Sequence, residues 1–266
     1  MFDLRTVQAL ILDIDGVLYE GDRARPGAVE LIAHLNRKGT PYALLSNNTT
    51  RPFSSHTAKL SELGMPVSST SIVTAARVVA QTLADETDPG ARCLVIGELG
   101  LVEALEQAGF EVTQTDHRNV EYVVVGMDRQ FTYEKLRAAA LAIRNGAKFI
   151  SSNPDPAYPD GKELIPASGA IQAALEATTG VRARVTGKPE LPGFQIAIKL
   201  LGSTSAQTGM LGDQLETDIL GAKRAGLKAF LILSSLTPCF FPDKALWRPD
   251  AVFDSTLDFY RKWVER

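Results

Sequence analysis

The chain has 266 residues, of which 45% are hydrophobic and 22% are charged, and its formal net charge at pH 7 is −3. These values are ordinary for a soluble globular protein of one or two domains, and no long basic block indicates a nucleic-acid partner. No secretory signal and no run long enough to span a membrane is present, so we expect a cytoplasmic protein without a membrane partner.

The cysteines and histidines give no sign of a metal or disulfide framework. Cys93 and Cys239 lie far apart and lack a Cys-x-x-Cys partner, and the three histidines are scattered without ligand spacing. Zinc chemistry and structural disulfides are therefore not predicted.

Strands and helices alternate in the N-terminal part of the chain and again in the C-terminal part. The N-terminal pattern predicts a strand at Ala9–Leu12, a helix at about Ala28–Lys38, a strand at Tyr42–Leu45 and a helix at about Pro52–Leu63. The C-terminal pattern predicts a helix from Pro192 to about Leu201, a strand at Thr208–Leu211, a helix at Asp218–Ala225 and a strand at Ala229–Leu233. Such alternation is typical of a parallel sheet, and we expect both parts to join one sheet.

The middle of the chain has an alternation of its own. It predicts strands at Cys93–Ile96, Tyr122–Val125 and Lys148–Ile150, and helices at Leu101–Ala108, Tyr133–Asn145 and Ala167–Thr179. A polar stretch rich in Pro and Gly at 85–90 and the region of 180–182 are plausible borders for a separate lobe. A single large α/β domain is the alternative.

Two aspartates, Asp13 and Asp15, follow the first predicted strand and precede Gly16. Carboxylates are rarely buried without a partner, and two this close repel each other, so the pair predicts a divalent cation. A calcium-binding loop does not fit, because Val17 stands where that loop needs an oxygen ligand. An ordinary Asp-Gly turn is the structural alternative.

Three further motifs carry groups suited to phosphate chemistry. Ser46-Asn47-Asn48-Thr49 lies between a strand and a helix, and it predicts a polar phosphate cradle unless it only caps the helix. Gly187-Lys188-Pro189 could direct one ammonium into a site, although most lysines are surface residues. In Gly212-Asp213-Gln214-Leu215-Glu216-Thr217-Asp218, Asp213 is a candidate Mg²⁺ ligand and Asp218 a helix cap or orienting group.

The placement of these motifs favours function over coincidence. Three of the four begin directly after a predicted strand, and open α/β sheets bind ligands outside the carboxyl ends of their strands. Together the motifs supply two or three carboxylates, a polar cradle and one fixed positive charge. Phosphoryl transfer requires this set of groups.

In sequence order, the four motifs resemble those of the haloacid dehalogenase (HAD) superfamily of phosphatases. Ser46-Asn47-Asn48-Thr49, the large insert and Asn153-Pro154-Asp155 within it resemble the NagD-like branch (subfamily IIA, C2-type cap). The resemblance implies a Rossmann-like, doubly wound parallel-sheet core formed by residues 1–85 and 183–266. An inserted α/β cap of residues 86–182 would determine substrate specificity.

The resemblance also implies catalytic roles. Asp13 would be the nucleophile that forms an aspartyl-phosphate, and Asp15 would be the general acid/base. Lys188 and Ser46 would hold the phosphoryl oxygens, with a backbone N–H near Asn47.

Metal binding is implied in the same way. Asp13, the backbone carbonyl of Asp15 and Asp213 would hold Mg²⁺. Asp218 would orient the metal site or Lys188.

Substrate choice is expected to lie in the cap, where Asp155 and Tyr158 are candidates for contact with the leaving group and Lys162 and Glu163 are further ones. A Pro-rich turn is the alternative for this segment. The predicted function is therefore a Mg²⁺-dependent phosphatase for a small metabolite, such as a sugar phosphate, nucleotide monophosphate, phosphoglycolate or aryl phosphate. A phosphate-ester sensor without turnover and a phosphomutase are the alternatives, and homodimer formation is left open.

Overall fold

The computed structural model describes residues 3–160, 163–234 and 248–266. The chain divides into two compact units: unit 1 consists of Met1–Ser46, Ser54–Val73 and Lys188–Arg266, and unit 2 of Asn47–Phe53 and Thr74–Gly187. Two residues of the sequence analysis, Lys162 and Cys239, lie outside the described residues. Within the described ranges, no helix has the length and apolar character needed to cross a membrane.

The elements are numbered in chain order. The strands are β1 (Ala9–Leu12), β2 (Tyr19–Glu20), β3 (Arg23–Ala24), β4 (Tyr42–Ser46), β5 (Ile72–Thr74), β6 (Arg92–Ile96), β7 (Glu111–Thr113), β8 (Tyr122–Val125), β9 (Lys148–Ser151), β10 (Ala157–Asp160), β11 (Glu163–Pro166), β12 (Arg184–Val185), β13 (Thr208–Gly212), β14 (Lys228–Ile232) and β15 (Ala251–Phe253). The α-helices are α1 (Ala28–Lys38), α2 (Phe53–Glu62), α3 (Ala75–Ala84), α4 (Leu99–Gln107), α5 (Tyr133–Arg144), α6 (Ser168–Thr179), α7 (Leu191–Leu201), α8 (Leu220–Arg224) and α9 (Thr256–Glu265).

Unit 1 is built on a sheet whose strand order, among the described residues, is β15-β14-β13-β1-β4-β5. β1 pairs in parallel with both β13 and β4, so the N-terminal and C-terminal parts of the chain share one sheet, as the sequence predicted. On one side of the sheet the strands follow the chain outward from β1 through β4 to β5, and on the other side they follow it outward from β13 through β14 to β15. The carboxyl ends of β1 and β13 therefore lie at the position where doubly wound sheets bind ligands.

Local sequence signals explain most of these elements. α1 has the predicted bounds and ends at Gly39, whose φ of +63° suits glycine best. β1 is buried along its whole length, as expected for a strand covered on both faces.

The predicted helix at Asp218–Ala225 differs from the structure. Leu215–Ile219 form a π-helical turn, and α8 begins only at Leu220. The side chain of Asp218 turns back to accept backbone hydrogen bonds, as described below.

Unit 2 contains a parallel sheet of order β12-β9-β8-β6-β7. Successive residues of its central strands face opposite helix pairs: Val95 and Val124 pack in a cluster with α3 and α4, whereas Leu94 and Val123 pack with α5 and α6. Both faces of the sheet are thus covered, which explains the uninterrupted apolar runs of β6 and β8.

The borders of unit 2 differ from the predicted range of 86–182. It begins at Thr74 because the apolar face of α3 packs in the same cluster as α4. It extends to Gly187 because β12 pairs with β9. The segment Asn47–Phe53 also belongs to it, although this segment follows a strand of the other unit. That unit 2 acts as a substrate-selecting cap stays a prediction.

Candidate active site

Asp13 stands at the carboxyl end of β1 and is almost fully buried. Its N–H donates to the carbonyl of Leu211 at 2.8 Å, so the parallel pairing with β13 extends to Asp13 itself. The chain then turns at Gly16, which has a φ of +86°. A Cβ at Gly16 would overlap the carboxyl group of Asp213, so glycine is needed both for the turn and for the close approach. Asp15 lies half-buried on this turn.

Lys188 connects the carboxylates of unit 1. Its Nζ donates to Asp13 Oδ1 and to Asp218 Oδ1 at 2.6 Å each, and to the carbonyl of Leu45 at 3.2 Å. Burial opposes the charge on Lys188, but Asp13 and Asp218 outweigh it and raise the pKa of the ammonium above its usual value. Lys188 is therefore a fixed positive charge. The peptide bond between Lys188 and Pro189 is cis.

Asp218 is fully buried, and its second oxygen, Oδ2, accepts hydrogen bonds from the N–H groups of Asp213 and Gln214 at 3.1 Å each. A Cβ at Gly212 would overlap this carboxyl group, so the glycine makes room for it. Both Asp218 oxygens thus have partners within unit 1. That Asp218 orients the metal site or Lys188 stays a prediction.

Asp213 lies beside Asp218 and accepts a hydrogen bond from Ser234 Oγ to its Oδ2 at 2.6 Å. Burial, together with the nearby negative charge of Asp218, raises the pKa of Asp213 to about 7. Burial also raises the pKa of Asp13 well above its usual value, although the ammonium of Lys188 acts in the opposite direction.

The donor set fits a hard divalent cation. Asp13, Asp213 and Asp218 each offer an oxygen, and these atoms lie within 4.8 Å of one another. Among the described residues, these three carboxylates and the Lys188 ammonium leave an excess of two negative charges when all are ionised, and a divalent ion would balance that excess. Carboxylate and carbonyl oxygens are the ligands that Mg²⁺ and Ca²⁺ prefer. Asp15 is not part of this carboxylate group.

The structure brings together some of the predicted residues but not all of them in one unit. Ser46 ends β4 in unit 1, is buried, and directly follows Leu45, whose carbonyl binds Lys188. The predicted residues Asn47, Asp155 and Tyr158 belong to unit 2. There Asn47 Nδ2 donates to Asp155 Oδ2 at 3.0 Å. Tyr158 is half-buried on β10, and Glu163 is exposed at the start of β11.

Sequence reasoning missed Ser234 and did not assign Asn153 to the site. Ser234 follows β14 almost directly, so the rule that placed the other motifs at strand ends could have found it. Asn153 lay within a recognised motif, but its contact with Asn47 joins residues 106 positions apart. Such a contact leaves no signal in one sequence.

A Rossmann-like sheet with buried carboxylates and a lysine at its strand ends is typical of phosphoryl-transfer enzymes. Two family descriptions match the chain: "Haloacid dehalogenase-like hydrolase" over residues 10–111 and "HAD-hydrolase-like" over residues 185–259. The acid sugar phosphatase of Staphylococcus aureus (strain USA300) is 37% identical over 224 residues, which cover 84% of this chain and 85% of that protein.

Solved structures agree with these matches. NagD from E. coli K-12 is 32% identical, with a TM-score of 0.85 and coverage of 95% of this chain and 98% of that one. The 4-nitrophenylphosphatase from Thermotoga maritima is 29% identical, with a TM-score of 0.89 and coverage of 97% and 98%. The chain belongs to the HAD superfamily, in its NagD-like branch, and is a phosphatase.

Proposed function

We propose that this phosphatase is Mg²⁺-dependent and hydrolyses small phosphorylated metabolites through an aspartyl-phosphate on Asp13. The observation that carries the proposal is the buried contact of 2.6 Å between Asp13 Oδ1 and Lys188 Nζ, at the carboxyl end of β1. A carboxylate held by a fixed positive charge is suited to attack an anionic phosphate ester.

Asp13 acts as the nucleophile. The positive charge of Lys188 favours the ionised form of the carboxylate against burial, and ionisation is what gives its oxygen nucleophilic character. As the bond from the Asp13 oxygen to phosphorus forms, the bond from phosphorus to the leaving-group oxygen breaks. The ammonium of Lys188 and the polar groups at Ser46 and Asn47 stabilise the charge on the phosphoryl oxygens.

Asp15 acts as the general acid/base. It lies two residues after the nucleophile, on the turn that follows β1, and gives its proton to the departing alkoxide. It then takes a proton from the water that attacks the phosphorus of the aspartyl-phosphate, and the bond from phosphorus to the Asp13 oxygen breaks as the bond to the water oxygen forms. Inorganic phosphate leaves, and both Asp13 and Asp15 return to their starting states.

Asp13, Asp213 and the backbone carbonyl of Asp15 would hold the cation, which would supply charge neutralisation and Lewis-acid polarisation of the phosphoryl group when bound. Asp218 is a positioning residue rather than a ligand, because its oxygens already accept from Lys188 and from two backbone N–H groups. Its role is to hold Lys188 in place.

The names of the relatives support two substrate classes above the others. One relative is named an acid sugar phosphatase and another a 4-nitrophenylphosphatase. Sugar phosphates and aryl phosphates are therefore the first esters to assay, with nucleotide monophosphates and phosphoglycolate next. Tyr158 and Glu163 remain candidates for contact with the leaving group.

The test is hydrolysis of 4-nitrophenyl phosphate with Mg²⁺, with a chelator, and after the chelator is removed and Mg²⁺ restored. We expect activity with Mg²⁺, a loss of at least a hundredfold with the chelator or in Asp13→Asn, and no change in Asp22→Asn, whose side chain is 99% exposed. Activity that persists in Asp13→Asn contradicts the mechanism. Release of inorganic phosphate separates hydrolysis from mutase transfer, and tight ester binding without release would indicate a sensor.

A further inference from the structure

Asn47, the first residue after β4, is held by two polar side chains of one loop in unit 2. Asn153 Nδ2 donates to the backbone carbonyl of Asn47 at 2.8 Å. The side-chain amide of Asn47 in turn donates to Asp155 Oδ2 at 3.0 Å. Both the main chain and the side chain of Asn47 are therefore fixed from the same loop, which follows β9.

The loop that supplies these two contacts is itself rigidly held. Asp155 N–H donates to Asn153 Oδ1 at 3.1 Å, so the two anchoring side chains lie in a fixed relation. Ser151 Oγ donates to the carbonyl of Asn153 at 3.0 Å, and Gly169 N–H donates to the carbonyl of Asp155 at 2.8 Å. A Cβ at Gly169 would overlap the carbonyl of Pro154, so the loop packs directly on the start of α6.

We propose that Asn153 and Asp155 are positioning residues that fix Asn47 and thereby the main chain that leaves Ser46. This inference rests on the proposed function, in which Ser46 and a backbone N–H near Asn47 hold the phosphoryl group. It gives Asp155 a role different from the leaving-group contact that the sequence predicted. Asp155 acts through Asn47 and serves every ester alike.

The chemistry of the two roles makes different demands on Asp155. A contact to a leaving group acts on one part of the substrate, so its loss changes the ratio of activities between esters. A residue that positions the phosphate-binding main chain affects the binding of the phosphoryl group, which all esters share. It therefore also affects the binding of inorganic phosphate. The hydrogen bond from Asn47 needs only an acceptor oxygen at position 155, which an amide supplies as well as a carboxylate.

The experiment compares Asn153→Ala, Asp155→Ala and Asp155→Asn with Asn145→Ala, which changes an exposed asparagine of the same unit. Calorimetry gives the Kd of inorganic phosphate in Mg²⁺. Steady-state kinetics gives kcat and KM for 4-nitrophenyl phosphate and for a sugar phosphate. Hydrogen exchange followed by mass spectrometry reports on residues 47–53, and Mg²⁺ affinity and thermal unfolding report on the fold.

We expect both alanine variants to weaken phosphate binding and to raise KM by about tenfold, by the same factor for both esters, with little change in kcat. Exchange at 47–53 should become faster, while Mg²⁺ affinity stays at the wild-type value. Asp155→Asn should lie within about twofold of the wild type, because the amide oxygen still accepts from Asn47. Asn145→Ala should match the wild type.

Two results overturn the inference. If Asp155→Asn is as damaging as Asp155→Ala, or if the loss depends on the ester, Asp155 is a substrate contact. If the alanine variants lower the unfolding temperature but leave phosphate affinity and exchange at 47–53 unchanged, the loop is only structural. A wild-type protein that hydrolyses none of the esters refutes the proposed function instead, and phosphate affinity and exchange then still decide the inference.

Discussion

The metal-free protein should lose stability as the pH rises through neutrality. In the folded chain the pKa of Asp213 is about 7, against a usual value of 3.8, because the carboxyl group is buried beside the charge of Asp218. Between these two values the folded state holds a proton that the unfolded state has released. The free energy of unfolding therefore falls as the pH rises from about 4, and the full loss is present above about 7.

The size of the effect follows from the pKa. A rise from 3.8 to about 7 corresponds to roughly 4 kcal/mol once Asp213 is ionised in both states. Between pH 5 and pH 8 the expected loss is about 2 to 3 kcal/mol, because part of it has already occurred at pH 5. A bound divalent cation offsets the repulsion, so Mg²⁺ should stabilise the protein more at pH 8 than at pH 5.

The assay is urea unfolding at pH 5 and pH 8, with and without Mg²⁺, followed by tryptophan fluorescence. Trp263 is buried in α9 of unit 1, which also contains Asp213, so its fluorescence reports the relevant unit. The pH dependence should be weaker in Asp213→Asn, where the raised pKa of Asp13 still contributes a loss of the same sign, and unchanged in Asp22→Asn. A flat stability profile in the metal-free wild type, or an equal slope in Asp213→Asn, would refute this account of the site.

Three further substitutions test single contacts of the site. Ser234→Ala removes the donor to Asp213 Oδ2 and should weaken Mg²⁺ binding about tenfold in calorimetry; an unchanged Kd contradicts the role of Ser234. Lys188→Met leaves the buried carboxylates of Asp13 and Asp218 without their cation, and it should lower the free energy of unfolding of the metal-free protein by about 3 to 5 kcal/mol. An increase in the free energy of unfolding would contradict this account of Lys188. Gly212→Ala places a methyl group against the Asp218 carboxyl, which should displace Lys188 and reduce kcat by about tenfold or more. A kcat equal to that of the wild type would show that Asp218 does not position Lys188.

The sequence predicted the central sheet, and it placed the candidate site residues of unit 1 at strand ends, because both depend on local patterns. Buried strands are uninterrupted apolar runs, and the site residues stand just after such strands, as Asp13 and Asp213 do. The short antiparallel strand pairs β2–β3 and β10–β11 were not predicted, because strands of two to four residues carry too little periodicity. The borders of unit 2 also differ from the predicted ones, because they depend on the packing of α3 on α4 and on the hydrogen bonds that hold Asn47, which join distant parts of the chain.

The arrangement at the end of β1 and β13 is costly for the fold, and that cost supports a cation-binding role. Asp13 and Asp213 have raised pKa values because burial penalises their charge, and in the part of the chain that the structure describes three carboxylates surround the one ammonium of Lys188. Selection for stability alone would not bury this excess of negative charge, because apolar side chains of similar volume would pack without the penalty. A divalent cation would offset the penalty with its two positive charges. The stability measured without metal and the affinity for Mg²⁺ are therefore linked, and a substitution that relieves the repulsion should stabilise the metal-free protein while it weakens metal binding.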